Sequence, residues 1–148
     1  MEIVFVEDDP LQAEWIQEQL QNKYPRATLR RIKTESEFRA KVETLAENPP
    51  DIVVMDVMLR WADPSPAMPH VPDDAKVGHH RAGLRCQRLL SSVPATSGIP
   101  ILLYTVLEDD DLAAEIRDLP QNVVYARKES SPENLYRKIQ TLTRQPPR

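Results

Sequence analysis

The chain is short of the features that would place it in several large classes. Cys86 is its one cysteine, which excludes an internal disulfide and makes a reducing, cytoplasmic setting the expectation. No apolar run approaches the roughly 20 residues of a membrane-spanning helix, and Met1 leads straight into a strand-like segment with no basic leader. Neither a membrane partner nor a targeting segment is expected. Basic residues are not in excess: 19 Lys and Arg against 23 Asp and Glu give a net charge of -4. That balance offers no footprint for direct nucleic-acid binding. Glycine is scarce as well, with 3 against 14 prolines, and the prolines cluster where loops are expected.

What remains is the composition of an ordinary folded domain. The 148 residues are 41% hydrophobic and 28% charged, enough for one domain with a proper core. The reading places that domain at residues 1–144, with 145–148 as a tail or the start of a linker.

The stretch Asp51-Ile-Val-Val-Met-Asp56 organises the pattern. A short continuous apolar run is the mark of a strand buried on both faces of a parallel sheet, and Asp56 falls where that strand ends. Around it the chain alternates. Glu2 to Val6 forms a first buried strand and runs into Glu7-Asp8-Asp9-Pro10. There Asp9 is placed to cap a helix and Pro10 to begin it. Leu11, Trp15, Ile16 and Leu20 are expected on that helix's apolar face. Ala27 to Ile32 is more polar and suits a sheet edge. Thr34-Glu-Ser-Glu37 opens a second helix carrying Phe38, Val42 and Leu45, which stops at Asn48-Pro49-Pro50. A third helix begins near Gly83 with Cys86, Leu89, Leu90 and Val93. Ile99 to Tyr104 is a fourth strand ending at Thr105. A fourth helix, bearing Leu112, Ile116 and Leu119, follows the acidic run Glu108–Asp111. Asn122 to Tyr125 is a fifth strand, followed by Lys128. A fifth helix then carries Leu135, Ile139 and Leu142.

Residues 61–81 break the alternation. They hold Pro64, Pro66, Pro69 and Pro72, all three histidines and no periodicity, so they read as an inserted loop that is functional or mobile. His70, His79, His80, Asp73 and Asp74 match no standard ligand spacing and are expected to be solvated. Trp61 is either a peg that tucks the loop down or a contact for a partner. Cys86 is expected in the core.

Five strand–helix units in strict alternation specify an α/β fold with a parallel sheet and helices on both faces. In such sheets ligands bind beyond the carboxyl ends of the strands. Those ends supply Glu7 and Asp8, Asp56, Thr105 and Lys128. Clustered carboxylates call for a compensating cation, and Mg²⁺ with its oxygen ligands meets that need. An aspartate so placed can serve as a nucleophile towards phosphorus, the metal and lysine neutralising the transferred group.

Val4-Phe-Val-Glu-Asp-Asp-Pro10, Met55-Asp-Val-Met-Leu59, Leu103-Tyr-Thr105 and Tyr125-Ala-Arg-Lys128, in that order, resemble the receiver domain of two-component response regulators. The resemblance implies a flavodoxin-like five-stranded sheet in the order 2-1-3-4-5 with five helices. It implies that Asp56 accepts a phosphoryl group from a histidine kinase or histidine phosphotransfer protein. Asp8, Asp56 and the backbone carbonyl of Met58 would bind Mg²⁺, with Glu7 acting through water. Thr105 and Lys128 would contact the phosphoryl oxygens, and Thr105 with Tyr125 would form the conformational switch. Such a domain is a signalling module rather than an enzyme. It acts on an output protein or domain that the sequence does not name, and receivers often pair as homodimers through the fourth and fifth helices.

Three positions depart from the usual pattern. Glu129 stands where the family usually has a proline after the lysine, Val106 where a small residue follows the threonine, and Arg60 where a proline often lies four residues past the phosphoacceptor. These departures support an alternative, a degenerate receiver that binds partners without phosphorylation. A further alternative is a haloacid-dehalogenase-like phosphatase, which also uses a strand-end aspartate. Such enzymes usually carry a second aspartate two residues on, where this chain has Met58.

Overall fold

A computed structural model describes residues 1–144; the sequence-predicted tail, 145–148, lies outside the described residues. Five parallel strands form one sheet: β1 (Glu2–Val6), β2 (Thr28–Ile32), β3 (Ile52–Met55), β4 (Ile101–Thr105) and β5 (Val123–Arg127). Their order is β2-β1-β3-β4-β5, as expected from the resemblance. The polar strand β2 lies at an edge with Thr28 and Arg30 exposed, whereas every residue of β3 and β4 is buried. A strand flanked on both sides and covered on both faces must be apolar throughout, and an edge strand need not be.

Alternate residues of each strand feed two separate cores. Val4, Val6, Val53, Met55 and Leu103 pack on one face with Phe38, Leu84 and Leu90. Ile3, Phe5, Val54, Leu102 and Tyr104 pack on the other with Ile16, Leu20 and Ile139. The first face is covered by α2 (Glu35–Ala40), α3 (Val42–Glu47), α4 (Ala82–Ser92) and α5 (Ala113–Arg117). The second is covered by α1 (Pro10–Lys23) and α6 (Glu133–Thr143).

Local side-chain signals mark the starts of α1, α2 and α6. Asp9 Oδ1 accepts from the Leu11 N–H at 2.9 Å and Pro10 is the first helical residue. Thr34 Oγ1 accepts from the Glu37 N–H at 3.3 Å, and Ser131 Oγ accepts from the Glu133 N–H at 3.3 Å. The apolar positions Leu135, Ile139 and Leu142 are all buried.

Other expectations are corrected. Among the described residues six α-helices form where five were expected, because the second breaks at Lys41 (φ -101°, ψ 1°) into α2 and α3. Leu11 is 77% exposed instead of joining the apolar face. It lies about 140° around the helix from Ile16, and the buried stripe is Ala13, Ile16 and Leu20. Leu119 falls beyond the end of α5, which is preceded by a 3₁₀ turn over Asp109–Leu112.

The segment 61–81 contains two 3₁₀ turns, Asp73–Ala75 and His79–Arg81, and no strand. It is docked rather than free. Trp61 Nε1 donates to the Pro69 carbonyl at 3.1 Å, with the Arg39 guanidinium 5.4 Å from the indole centre. Arg39 also pairs with Asp74 at 2.7 Å. Trp61 thus bonds within its own loop and stacks against Arg39 of α2, which accords with the peg reading. Beneath the loop Glu35, 1% exposed, is held by Arg39 at 2.8 Å and by Arg85 at 2.7 and 2.9 Å; Arg85 also donates to the Gly78 carbonyl.

Candidate functional site

The carboxyl ends of the strands converge as the alternation requires. The pairing of Val6 with Met55 sets β1 and β3 side by side, and the Asp56 N–H donates to the Val6 carbonyl at 3.0 Å. Glu7, Asp8 and Asp56 each bring a carboxylate oxygen within 4.8 Å of the others, the one such cluster among the described residues. Lys128 reaches in from the end of β5. Its ammonium pairs with Glu7 and lies 3.0 Å from Asp56 Oδ2. The lysine is placed there by its own backbone, whose N–H donates to the Thr105 carbonyl at 2.7 Å.

Burial sets the electrostatics. Glu7 is 1% exposed and Asp56 8%. Burial raises the Glu7 carboxyl from 4.5 to about 7; the neighbouring Asp56 charge adds to that, and Lys128 opposes both. The Asp56 Oδ1 accepts from the Met58 N–H at 3.2 Å. Asp8, on the outer side, accepts from the Arg60 N–H at 2.9 Å and has the Arg60 Nε at 3.4 Å.

The two residues expected to form the switch lie on β4 and β5. Thr105 is fully buried, and its hydroxyl accepts from the Leu107 N–H at 3.3 Å. The Tyr125 hydroxyl donates to the carbonyl of the same Leu107. Thr105 and Tyr125 are thus joined through a single residue of the β4–α5 loop. Val106, between them, is 46% exposed. No cis peptide bond occurs among the described residues, Lys128–Glu129 included. His79 and His80 are exposed, with ring centres 4.2 Å apart, and His70 is exposed too; none joins a metal-binding cluster.

Two residues make contacts at the site that the sequence pattern did not indicate. Gly83 sits where α4 abuts the Asp56 backbone: a Cβ there would lie 2.0 Å from the Asp56 carbonyl oxygen and 2.7 Å from the Val57 Cα. Its N–H also donates to the Val57 carbonyl at 2.8 Å. The scarcity of glycine was the available signal. Arg60 is the other, since nothing in its sequence neighbourhood points across to Asp8.

The donor set suits a hard divalent cation. Three carboxylates face two cationic side chains, Lys128 and Arg60, and the Glu7 carboxyl is raised first by its burial and then by the Asp56 charge.

No protein-family model and no curated protein matches the sequence. Solved structures do. The signal receiver domain of a signal transduction histidine kinase from Syntrophus aciditrophicus is 22% identical, with a TM-score of 0.67 over 96% of this chain and 89% of that one. The signal receiver domain of a DNA-binding response regulator from Colwellia psychrerythraea is 21% identical, with a TM-score of 0.69 over 98% and 99%. The phosphorylated cyanobacterial phytochrome response regulator RcpA is 21% identical, with a TM-score of 0.63 over 96% and 88%. The fold is that of response regulator receiver domains. No helix among the described residues is long and apolar enough to cross a membrane.

Proposed function

We propose that this protein is a phosphorylation-controlled signalling domain whose acceptor is Asp56. The observation that carries the reading is the Lys128 ammonium bridging Glu7 and Asp56 beside Asp8, at the ends of three different strands. Asp56 attacks phosphorus in a phosphohistidine of a histidine kinase or phosphotransfer protein. The new P–O bond forms as the P–N bond breaks, and the imidazole leaves with a proton from solvent. Asp8 and Asp56, the Met58 carbonyl, and Glu7 through water would hold Mg²⁺, which supplies charge neutralisation for the transferred group. Lys128 balances a second phosphoryl oxygen. Thr105 binds a third and, through Leu107, draws on Tyr125, so that a change at the phosphate reaches the β4–α5 loop.

The domain comprises residues 1–144 with 61–81 as an insertion, acts in the cytoplasm, and passes its state to an output protein or domain, with a homodimer as one form. Phosphatase turnover is disfavoured because Met58 stands where an acid–base aspartate would be needed. A second reading has its own observation: Arg60 pairs with Asp8, as expected of a degenerate receiver that no longer binds metal. Incubation with Mg²⁺ and acetyl phosphate followed by intact mass spectrometry separates the two. A phosphoryl adduct in the native protein that Asp56→Asn lacks supports the acceptor reading. No adduct, together with no binding of beryllofluoride, supports the degenerate module.

A further inference from the structure

Arg60 is held in a way that leaves only its side chain free to move. The Glu35 N–H donates to its carbonyl at 3.1 Å, the Leu59 N–H to the His79 carbonyl at 3.2 Å, and the Ser36 N–H to the Trp61 carbonyl at 2.9 Å. The backbone on both sides is thereby fastened to the start of α2 and to the far end of the 61–81 loop. The guanidinium is different. It is about half exposed (49%), and its Nε lies 3.4 Å from Asp8 Oδ2, the oxygen that also takes the Arg60 N–H. Asp8 is the outermost of the three clustered carboxylates, with 19% of its side chain exposed. An ion arriving from solvent meets it first.

We propose that Arg60 is a resident competitor for the divalent cation: its guanidinium sits on Asp8 when the ion is away and swings out when the ion binds. The proposal rests on reading Glu7, Asp8 and Asp56 as a Mg²⁺ site. Two positive groups on one carboxylate repel, so occupation by one weakens the other. A half-exposed ion pair is weak and readily displaced, so the guanidinium lowers metal affinity without abolishing it, by about two- to fivefold. Because the Arg60 backbone stays fastened, the displaced guanidinium remains at the mouth of the site, beside the docked loop. The arrangement turns an apparent defect into a device that sets the metal concentration at which the site becomes competent.

The test uses the full chain and Mn²⁺ as a probe, with free ion read by electron paramagnetic resonance. Arg60→Ala is expected to bind Mn²⁺ about two- to fivefold more tightly than the native protein. Arg60→Met, which keeps the aliphatic stem, gives the same gain should the alanine variant fold poorly. Lys76→Ala, which neutralises an exposed cation elsewhere on the loop, leaves the affinity unchanged. In the native protein the Arg60 Nε–H nuclear magnetic resonance signal shifts as Mg²⁺ saturates. Equal or weaker binding by both Arg60 variants, an equal gain in Lys76→Ala, or an Arg60 signal unmoved by Mg²⁺ overturns the proposal while leaving the metal site in place. Absence of binding in the native protein and in every variant overturns the metal reading as well. Binding in the Arg60 variants alone, with none in the native protein, also overturns the graded competitor, because the guanidinium would then block the site outright instead of being displaced by the ion.

Discussion

Glu7→Gln, studied in metal-free buffer, probes the charge balance of the strand-end cluster directly. The Glu7 carboxyl is moved from 4.5 to about 7, first by burial, then by Asp56, with Lys128 opposing. A raised carboxyl pKa means that the folded state holds its proton more tightly than the unfolded chain does. The native protein therefore loses stability as pH rises from about 4.5 to about 7, and the full penalty is present above that window. A displacement of that size corresponds to about 3 kcal/mol. The Lys128 pairing is already contained in that balance, because the lysine lowers the carboxyl from where burial alone would place it. Glutamine keeps the size and can still accept from the Lys128 ammonium. Urea denaturation at pH 5 and at pH 8 is the assay. The variant is expected to be the more stable at pH 8, by about 1–3 kcal/mol, and to show a flatter profile between the two pH values. Parallel profiles for the two proteins would refute the account, since Glu7 would then titrate alike in the folded and unfolded states.

Two further perturbations address the scaffold around the site. Gly83→Ala forces a methyl group against the Asp56 carbonyl and the Val57 Cα. It should cost about 1–3 kcal/mol in denaturation and shift the Asp56 backbone signals in nuclear magnetic resonance, with unmoved signals counting against the close approach. Arg85→Met removes two of the hydrogen bonds to Glu35, which is buried at 1% exposure and retains only Arg39. A loss of about 3–5 kcal/mol is expected, with faster amide exchange at Gly78 and His79, and a near-neutral effect would show that the pair adds little to stability.

The architecture was legible in the sequence because its signals are short-ranged. Apolar runs at β1, β3 and β4 differ from the mixed pattern of β2, and the caps Asp9 and Thr34, with Ser131 just before α6, mark helix starts through contacts within three residues. Alternation of strand and helix then implies a parallel sheet, and a parallel sheet gathers the strand ends on one side. That chain of inference leads to Glu7, Asp8, Asp56, Thr105 and Lys128 without coordinates. It failed where local pattern and tertiary demand diverged. Leu11 belongs to an i, i+4 series with Trp15, yet the sheet is met by Ala13, Ile16 and Leu20. The i, i+4, i+7 series of Phe38, Val42 and Leu45 suits an unbroken helix, but the chain turns at Lys41.

By itself the sequence determined which side chains arrive at the strand ends, because strand identity and side-chain period depend on neighbours in the chain. Only the tertiary structure decided how those groups are paired: Lys128 to Glu7 and Asp56, Arg60 to Asp8, Tyr125 to Thr105 through Leu107. It also decided that the 61–81 segment is tied down by Trp61, Arg39 and Arg85. The reason is physical. Ion pairs and close backbone approaches join residues far apart in the chain, and their geometry exists only after the sheet has brought those residues together.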